Sequence, residues 1–260
     1  MTVFWCEDSL DGILTGVYEA WDSRLGHGNV KLKISAQDSL ELFCEYREVR
    51  TDLEKAEKVL QTVRRSLGEL AWEAICYAAA CPHPGKADAI YRMIVLGLHL
   101  PDGKQVVNYL QNPDVLLVMK LRQKAWHETH RMLGFLRFEE LANGVLYGKF
   151  RSPCGLLPLI APHFADRYQQ EDWIIRDIDR GTLAVHRKNS FWFLTDAAEL
   201  NPEYLERYSQ KEAEFQQLWK SFCKSVAIEE RRNPRCQQNL LPLRFRLCMT
   251  EFQPENPKSN

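Results

Sequence analysis

The spacing of apolar and polar positions divides the chain into a helical front and a sheet-bearing back. Val3-Phe4-Trp5 is a short apolar run of strand character. After Ser9-Leu10-Asp11-Gly12, the apolar residues Ile13, Leu14, Val17, Tyr18 and Trp21 recur at helical spacing. Thr51-Asp52 supplies a cap for the next helix, in which Leu53, Ala56, Val59, Leu60 and Val63 form the dry stripe and Glu54, Lys55, Glu57 and Lys58 the wet one. Two more apolar helices follow, over about Leu70–Ala80 and about Ala87–Leu98, closed by Pro82-His83-Pro84-Gly85 and Pro101-Asp102-Gly103. Residues 1–110 read as a mainly helical N-terminal part.

Val115, Val118, Met119, Arg122, Trp126 and Arg131 extend without a breaker from Pro113 to about Met132, which predicts one long helix. Beyond Gly134 the period shortens to two. Phe135–Leu141 and Val145–Phe150 flank Asn143-Gly144, a turn pair that accepts positive φ, so this stretch reads as a hairpin. Leu156–Tyr168 returns to helix, and Trp173–Ile178, Thr182–Arg187 and Ser190–Leu194 are three more strand-like runs. The expected fold class is α+β: an antiparallel sheet of about five strands in 135–194, packed with many helices. From Pro202 the pattern Tyr204, Leu205, Tyr208, Ala213, Phe215, Leu218, Trp219, Phe222 is helical up to a break at Asn233-Pro234, and Gln237–Met249 is expected to wrap back over the sheet. The expected division is 1–110, an α+β part over 111–250 ending in a basic helical region, and a loose tail over 251–260, all in one compact unit.

Composition is globular, 45% apolar and 27% charged, and the formal charge is −1. The distribution of charge says more than its sum. Residues 1–118 carry 12 Lys/Arg and 17 Asp/Glu (−5), and residues 119–260 carry 22 and 18 (+4), so the back half is the one suited to anions. The longest apolar runs, Met93–Leu100 and Val115–Leu121, fall far short of the ~20 residues that cross a bilayer. No membrane span is expected, and the acidic N-terminus MTVFWCEDSLDG lacks signal-peptide character, which points to the cytoplasm. The eight cysteines are scattered, with no CxxC pair, and read as free thiols in a reducing compartment. There is no P-loop, GxGxxG or GxSxG, so nothing in the sequence asks for a cofactor.

The densest polar cluster is Trp126-His127-Glu128-Thr129-His130-Arg131. On a helix His127 and His130 share a face, though their spacing of three differs from the four of a zinc-protease motif, and a metal would need a third ligand such as His163. The alternative is one packed and one solvated imidazole. His163 and Arg167 are four apart on the helix after the hairpin, and Trp173–Asp177 runs into Asp179-Arg180-Gly181, a carboxylate and a guanidinium beside a turn. Together His127, His130, Arg131, Arg137, His163, Arg167, Asp177 and Arg180 suit a phosphate: arginine forks as bidentate donors and histidine as acid or base. Lys220–Arg246 adds seven basic residues, Arg231, Arg232 and Arg235 among them, against two glutamates, with Phe222 and Phe245 interleaved, a pattern that fits a nucleic-acid backbone or a solvated helix face.

The order of these motifs resembles a bacterial family assigned to DNA repair or DNA metabolism, of unknown mechanism. The residues that carry the resemblance are Asp11-Gly12, Thr51-Asp52, His127-x-x-His130-Arg131-x-x-Gly134-Phe135-Leu136-Arg137-Phe138, His163-Phe164-x-x-Arg167, Trp173-x-Ile175-x-Asp177, Leu218-Trp219, Asn233-Pro234 and Leu241-Pro242. The likeness runs over about residues 3–250. It implies a context: members are encoded beside a radical S-adenosylmethionine protein of DNA modification or repair, and some are fused behind a uracil-DNA-glycosylase-like domain. The 260 residues read as the stand-alone form.

The leading expectation is a DNA-binding accessory of such a system. An Arg/His pocket takes a phosphate or an extruded nucleotide, Trp126 or Trp173 stacks on the base, and the basic C-terminal stretch follows the backbone. One rival is a nuclease or glycosylase-like hydrolase with Asp177 activating water or holding a metal and His127, His130 or His163 as acid and base. The other is a scaffold for the radical enzyme.

Overall fold

The computed structural model describes residues 1–34, 41–199, 205 and 207–253. The chain divides into two compact units, Met1–His127 and Glu128–Asn260.

The first unit opens with β1 (Thr2–Cys6) and α1 (Leu10–Asp22), followed by β2 (Val30–Ile34) and β3 (Glu45–Glu48). All three strands are parallel in the order β2-β1-β3, with Thr2 opposite both Val30 and Glu45. This small sheet is absent from the sequence-based expectation. Three helices then follow: α2 (Leu53–Leu67), α3 (Glu69–Ala79) and α4 (Lys86–His99), close to their expected bounds. The caps act as the sequence indicates. Ser9 Oγ accepts from Gly12 N at 3.0 Å, and Asp52 accepts from Glu54 N and Lys55 N.

Gly12 and Gly16 let α1 lie directly on β1. A Cβ at Gly12 would stand 2.6 Å from Glu7 O, and one at Gly16 would stand 2.1 Å from Cys6 Sγ. Val3, Ile13, Leu14, Leu32, Val63, Ile75 and Ile90 fill the resulting core. Lys86 is buried at the start of α4 and donates to Ala79 O and Cys81 O, with Asp8 as counter-charge at 2.6 Å. It thereby satisfies carbonyls that the end of α3 leaves without helical partners.

The long helix α5 (Pro113–Phe135) contains the unit boundary. The second unit has β4 (Phe138–Glu140), β5 (Leu146–Phe150), α6 (Leu157–Arg167), β6 (Trp173–Asp177), β7 (Thr182–His186) and β8 (Trp192–Asp196). They form one five-stranded sheet in sequence order, which is the expected α+β architecture. Glu140 pairs with Leu146 across the Asn143-Gly144 turn, where Gly144 has φ +83°. One pairing departs from the antiparallel expectation: β5 and β6 are parallel, because α6 carries the chain back to the starting edge between them.

C-terminal to the sheet are α7 (Gln210–Ser225), α8 (Pro234–Leu240) and α9 (Leu243–Arg246). Asn233 marks a start more than a break, since its side chain caps α8 at Cys236 N. Of the helical positions expected from Pro202 onward, 202–204 and 206 lie outside the described residues, as does the tail from 254. No described helix is long and apolar enough to cross a membrane.

Candidate nucleic-acid interface

The sequence-predicted residues separate into three groups. His127, His130 and His163 are exposed; His127 and His130 stand on α5 and His163 on α6, where its ring meets Phe164 edge-on at 5.2 Å. Arg131 is half-buried on α5. Among the described residues no three His, Cys, Asp or Glu side chains are gathered closely enough to hold a metal ion, so the metal triad considered for these histidines does not form.

Asp177 and Arg180 form a second group, and they serve the fold. Asp177 is fully buried at the end of β6; its Oδ1 accepts from the N–H groups of Asp179 and Arg180, and its Oδ2 from Arg180 Nη1 at 3.0 Å. Arg180 also donates from Nη1 to Ser152 O at 3.0 Å and from Nη2 to Pro153 O at 2.6 Å. Burial raises the Asp177 carboxyl above its ordinary range against the pull of Arg180. Both oxygens are therefore spent inside the turn, and the guanidinium expected at a phosphate is spent with them. Trp173 is also fully buried, its ring stacked on His186 at 5.0 Å and 7°, so it presents no face to a base. Its place at the centre of the sheet explains this: inward positions of a strand covered by α6 belong to the core.

The third group does converge. Arg137, at the mouth of β4, and Arg167, at the end of α6, line one cavity of about 720 Å3 whose far wall is α7. Tyr168, Phe215 and Trp219 supply aromatic surface there. Phe215 is 61% exposed and Trp219 39%, high values for residues of their size. Each arginine lies near an aromatic ring: Arg137 5.9 Å from the Trp219 centroid, Arg167 5.6 Å from that of Tyr168.

The two guanidiniums differ in state. Arg137 donates to Gly134 O and to Glu251 Oε1, both at 2.9 Å, while Trp219 Nε1 donates to the other oxygen of Glu251 at 3.3 Å. Burial works against the Glu251 charge, yet the hydrogen bonds from Arg137 and Trp219 hold its carboxyl below the ordinary range. Arg167 is exposed and makes no ion pair with a described residue. Glu212, the carboxylate within the cavity lining, is occupied with Glu140 N at 2.8 Å and Gln216. An incoming anion therefore meets one unpaired guanidinium and one pre-oriented by a carboxylate.

The C-terminal half of α7 walls a second cavity, of about 880 Å3, with Lys220, Lys224, Arg231 and Arg232 against Glu229 and Glu251. Four cations to two carboxylates keep it electropositive. Arg235, on α8, is exposed and lies outside this lining. Phe215, Trp219, Tyr168 and Glu251 are site residues that the sequence reading assigned no such role. Phe215, Leu218, Trp219 and Phe222 recur at helical spacing, and on a sequence an outward apolar stripe is written like an inward one.

No curated protein matches the chain. Among solved structures it is similar to the DHH domain of a member of the s1p family of ribosomal proteins, at 11% identity and a TM-score of 0.33, over 72% of this chain and 74% of that one. The family described as Domain of unknown function (DUF4130) matches residues 84–251, which take in all of α5, the whole five-stranded sheet, the first cavity along α7 and all of the second but Phe252 and Gln253. The chain belongs to that family.

Proposed function

We propose that the chain binds nucleic acid along α7, holding a single-stranded segment or an extruded nucleotide. A base lies against Phe215 and Trp219, a phosphate meets Arg167 and Arg137, and the neighbouring phosphates follow Lys220, Lys224, Arg231 and Arg232. The observation that carries this reading is the first cavity: two guanidiniums and three exposed or half-exposed aromatic rings around one space of about 720 Å3. Interleaved rings and cations suit single strands because every base has a face to stack and every nucleotide a charge to neutralise. The resemblance to DNA-repair and DNA-metabolism proteins makes DNA the preferred nucleic acid and a radical S-adenosylmethionine protein the preferred partner.

The test is fluorescence anisotropy with a labelled oligothymidine of roughly 15 nucleotides, near the upper end of one such site. Trp219→Ala is expected to weaken binding by about fivefold to 150-fold, the worth of one stacked base at ~1–3 kcal/mol. Arg167→Glu is expected to weaken it further and to flatten the dependence of affinity on salt. Unchanged affinity in both variants would end the proposal.

A further inference from the structure

The first unit has a cavity of about 550 Å3 among α1, α2 and α4, built from residues that the nucleic-acid reading does not use. Its floor is apolar: Val17, Val59, Val63 and Ile94. Tyr18 and Trp21 of α1 form one wall. Trp21 is 43% exposed, yet it is fixed in place: its ring rests 4.7 Å from that of His27, and His27 Nδ1 is bound to the Tyr91 hydroxyl at 2.8 Å. An indole held open in this way is a wall that a ring can stack against.

The polar rim is Lys58 and Arg65 of α2, His99 of α4 and Asp22 of α1. Lys58 and Arg65 are two turns apart on the same helix face. Other cations of α2 are neutralised, Lys55 by Glu19 at 2.5 Å and Arg64 by Glu69 at 3.0 Å. Lys58 and Arg65 have no carboxylate partner among the described residues; the ammonium of Lys58 instead hangs 5.8 Å from the Tyr18 ring. His99 donates from Nδ1 to Val95 O at 2.7 Å, which leaves its Nε2 as the other polar atom at this rim. Two unpaired cations thus face one carboxylate above an apolar, aromatic-walled space of ligand size.

We propose that this cavity is a binding site for a small planar aromatic anion, its ring against Tyr18 and Trp21 and its acid group at Lys58 and Arg65. The apolar floor favours a ring over a simple inorganic anion, and the two cations favour an anionic ring over a neutral one. Because the site lies wholly in the first unit, it stands or falls apart from nucleic-acid binding along α7.

Two dyes of the same ring skeleton test it: the anion 8-anilinonaphthalene-1-sulfonate and the neutral N-phenyl-1-naphthylamine. Each is titrated by fluorescence against the full chain. Lys58→Glu combined with Arg65→Glu is expected to weaken the sulfonate at least tenfold and to leave the neutral dye within twofold; Lys58→Gln with Arg65→Gln falls between. Trp21→Ala weakens both dyes, and Trp219→Ala, in the other unit, leaves this site intact. Sulfonate binding that survives charge reversal, equal loss of both dyes in the charge-reversed chain, or loss of the same site in Trp219→Ala would overturn the proposal.

Discussion

Glu251→Gln separates the stability of the α7 groove from its affinity, because the two move in opposite directions. The Glu251 carboxylate accepts from Arg137 Nη2 at 2.9 Å and from Trp219 Nε1 at 3.3 Å, and the two charged side chains are only 13% and 26% exposed. A charge-assisted hydrogen bond of this kind contributes ~1.5–3 kcal/mol, and the amide keeps its shape but not its charge, so a loss of about 1–2 kcal/mol of folding stability is expected. Binding should tighten. A phosphate roughly 6 Å from Glu251 is repelled by about 0.7 kcal/mol in water and about 3 kcal/mol at an effective dielectric of 20, and a groove open to solvent lies near the lower figure. Relief of about 1 kcal/mol is about fivefold in affinity for oligothymidine, read by anisotropy at low salt beside a urea unfolding curve. The pH dependence has a definite sign. The folded-state pKa of Glu251 is depressed, so its stabilisation is complete above the ordinary glutamate value and is lost as pH falls through the lowered one. In Glu251→Gln that part of the acid sensitivity disappears. A variant that is less stable and also binds more weakly would refute the placement of phosphate beside Arg137.

Two further substitutions probe the frame. Gly16→Ala places a methyl 2.1 Å from Cys6 Sγ in the core and is expected to cost ~1–3 kcal/mol, less up to ~1 kcal/mol of helix propensity; adding Cys6→Ala should restore at least about 1 kcal/mol by urea midpoint, and a double variant weaker than the single would show that the clash is not the cause. Asp177→Ala removes a buried carboxylate from a turn, with Arg180 35% exposed, so about 2–3 kcal/mol of stability is expected to go while oligothymidine affinity of the folded protein stays within twofold; intact stability with lost binding would return Asp177 to the functional site. Burial raises the Asp177 pKa, so the folded state keeps that proton to higher pH than the unfolded chain, and its contribution to stability declines as pH rises through the raised value.

Local chemistry was legible in the sequence, and long-range placement was not. Asn143-Gly144 can hold positive φ cheaply, so the β4–β5 hairpin could be read directly. The parallel pairing of β5 with β6 depends on which way α6 crosses, and no residue pattern inside either strand encodes that. In the first unit Val30–Ile34 does alternate buried and half-buried positions, a signal that the helical periodicity around it outweighed, whereas the polar Glu45–Glu48 carries almost none. Within the site, Arg137 and Arg167 were found because guanidiniums near a sheet are conspicuous. Phe215 and Trp219 were not, since only the fold tells which side of α7 its apolar stripe faces. The sequence allows Asp177 and Arg180 to meet either a ligand or each other, and the short turn after β6 brings them to each other.

Photo-cross-linking places the nucleic acid most directly. An oligothymidine carrying 5-iodouracil is irradiated with the full chain and the adducts are mapped by mass spectrometry. Attachment at Tyr168, Phe215 or Trp219 is expected, with yield falling as salt rises. Adducts confined to residues 1–127, or none at an oligonucleotide concentration that saturates binding, would contradict a nucleic-acid site along α7.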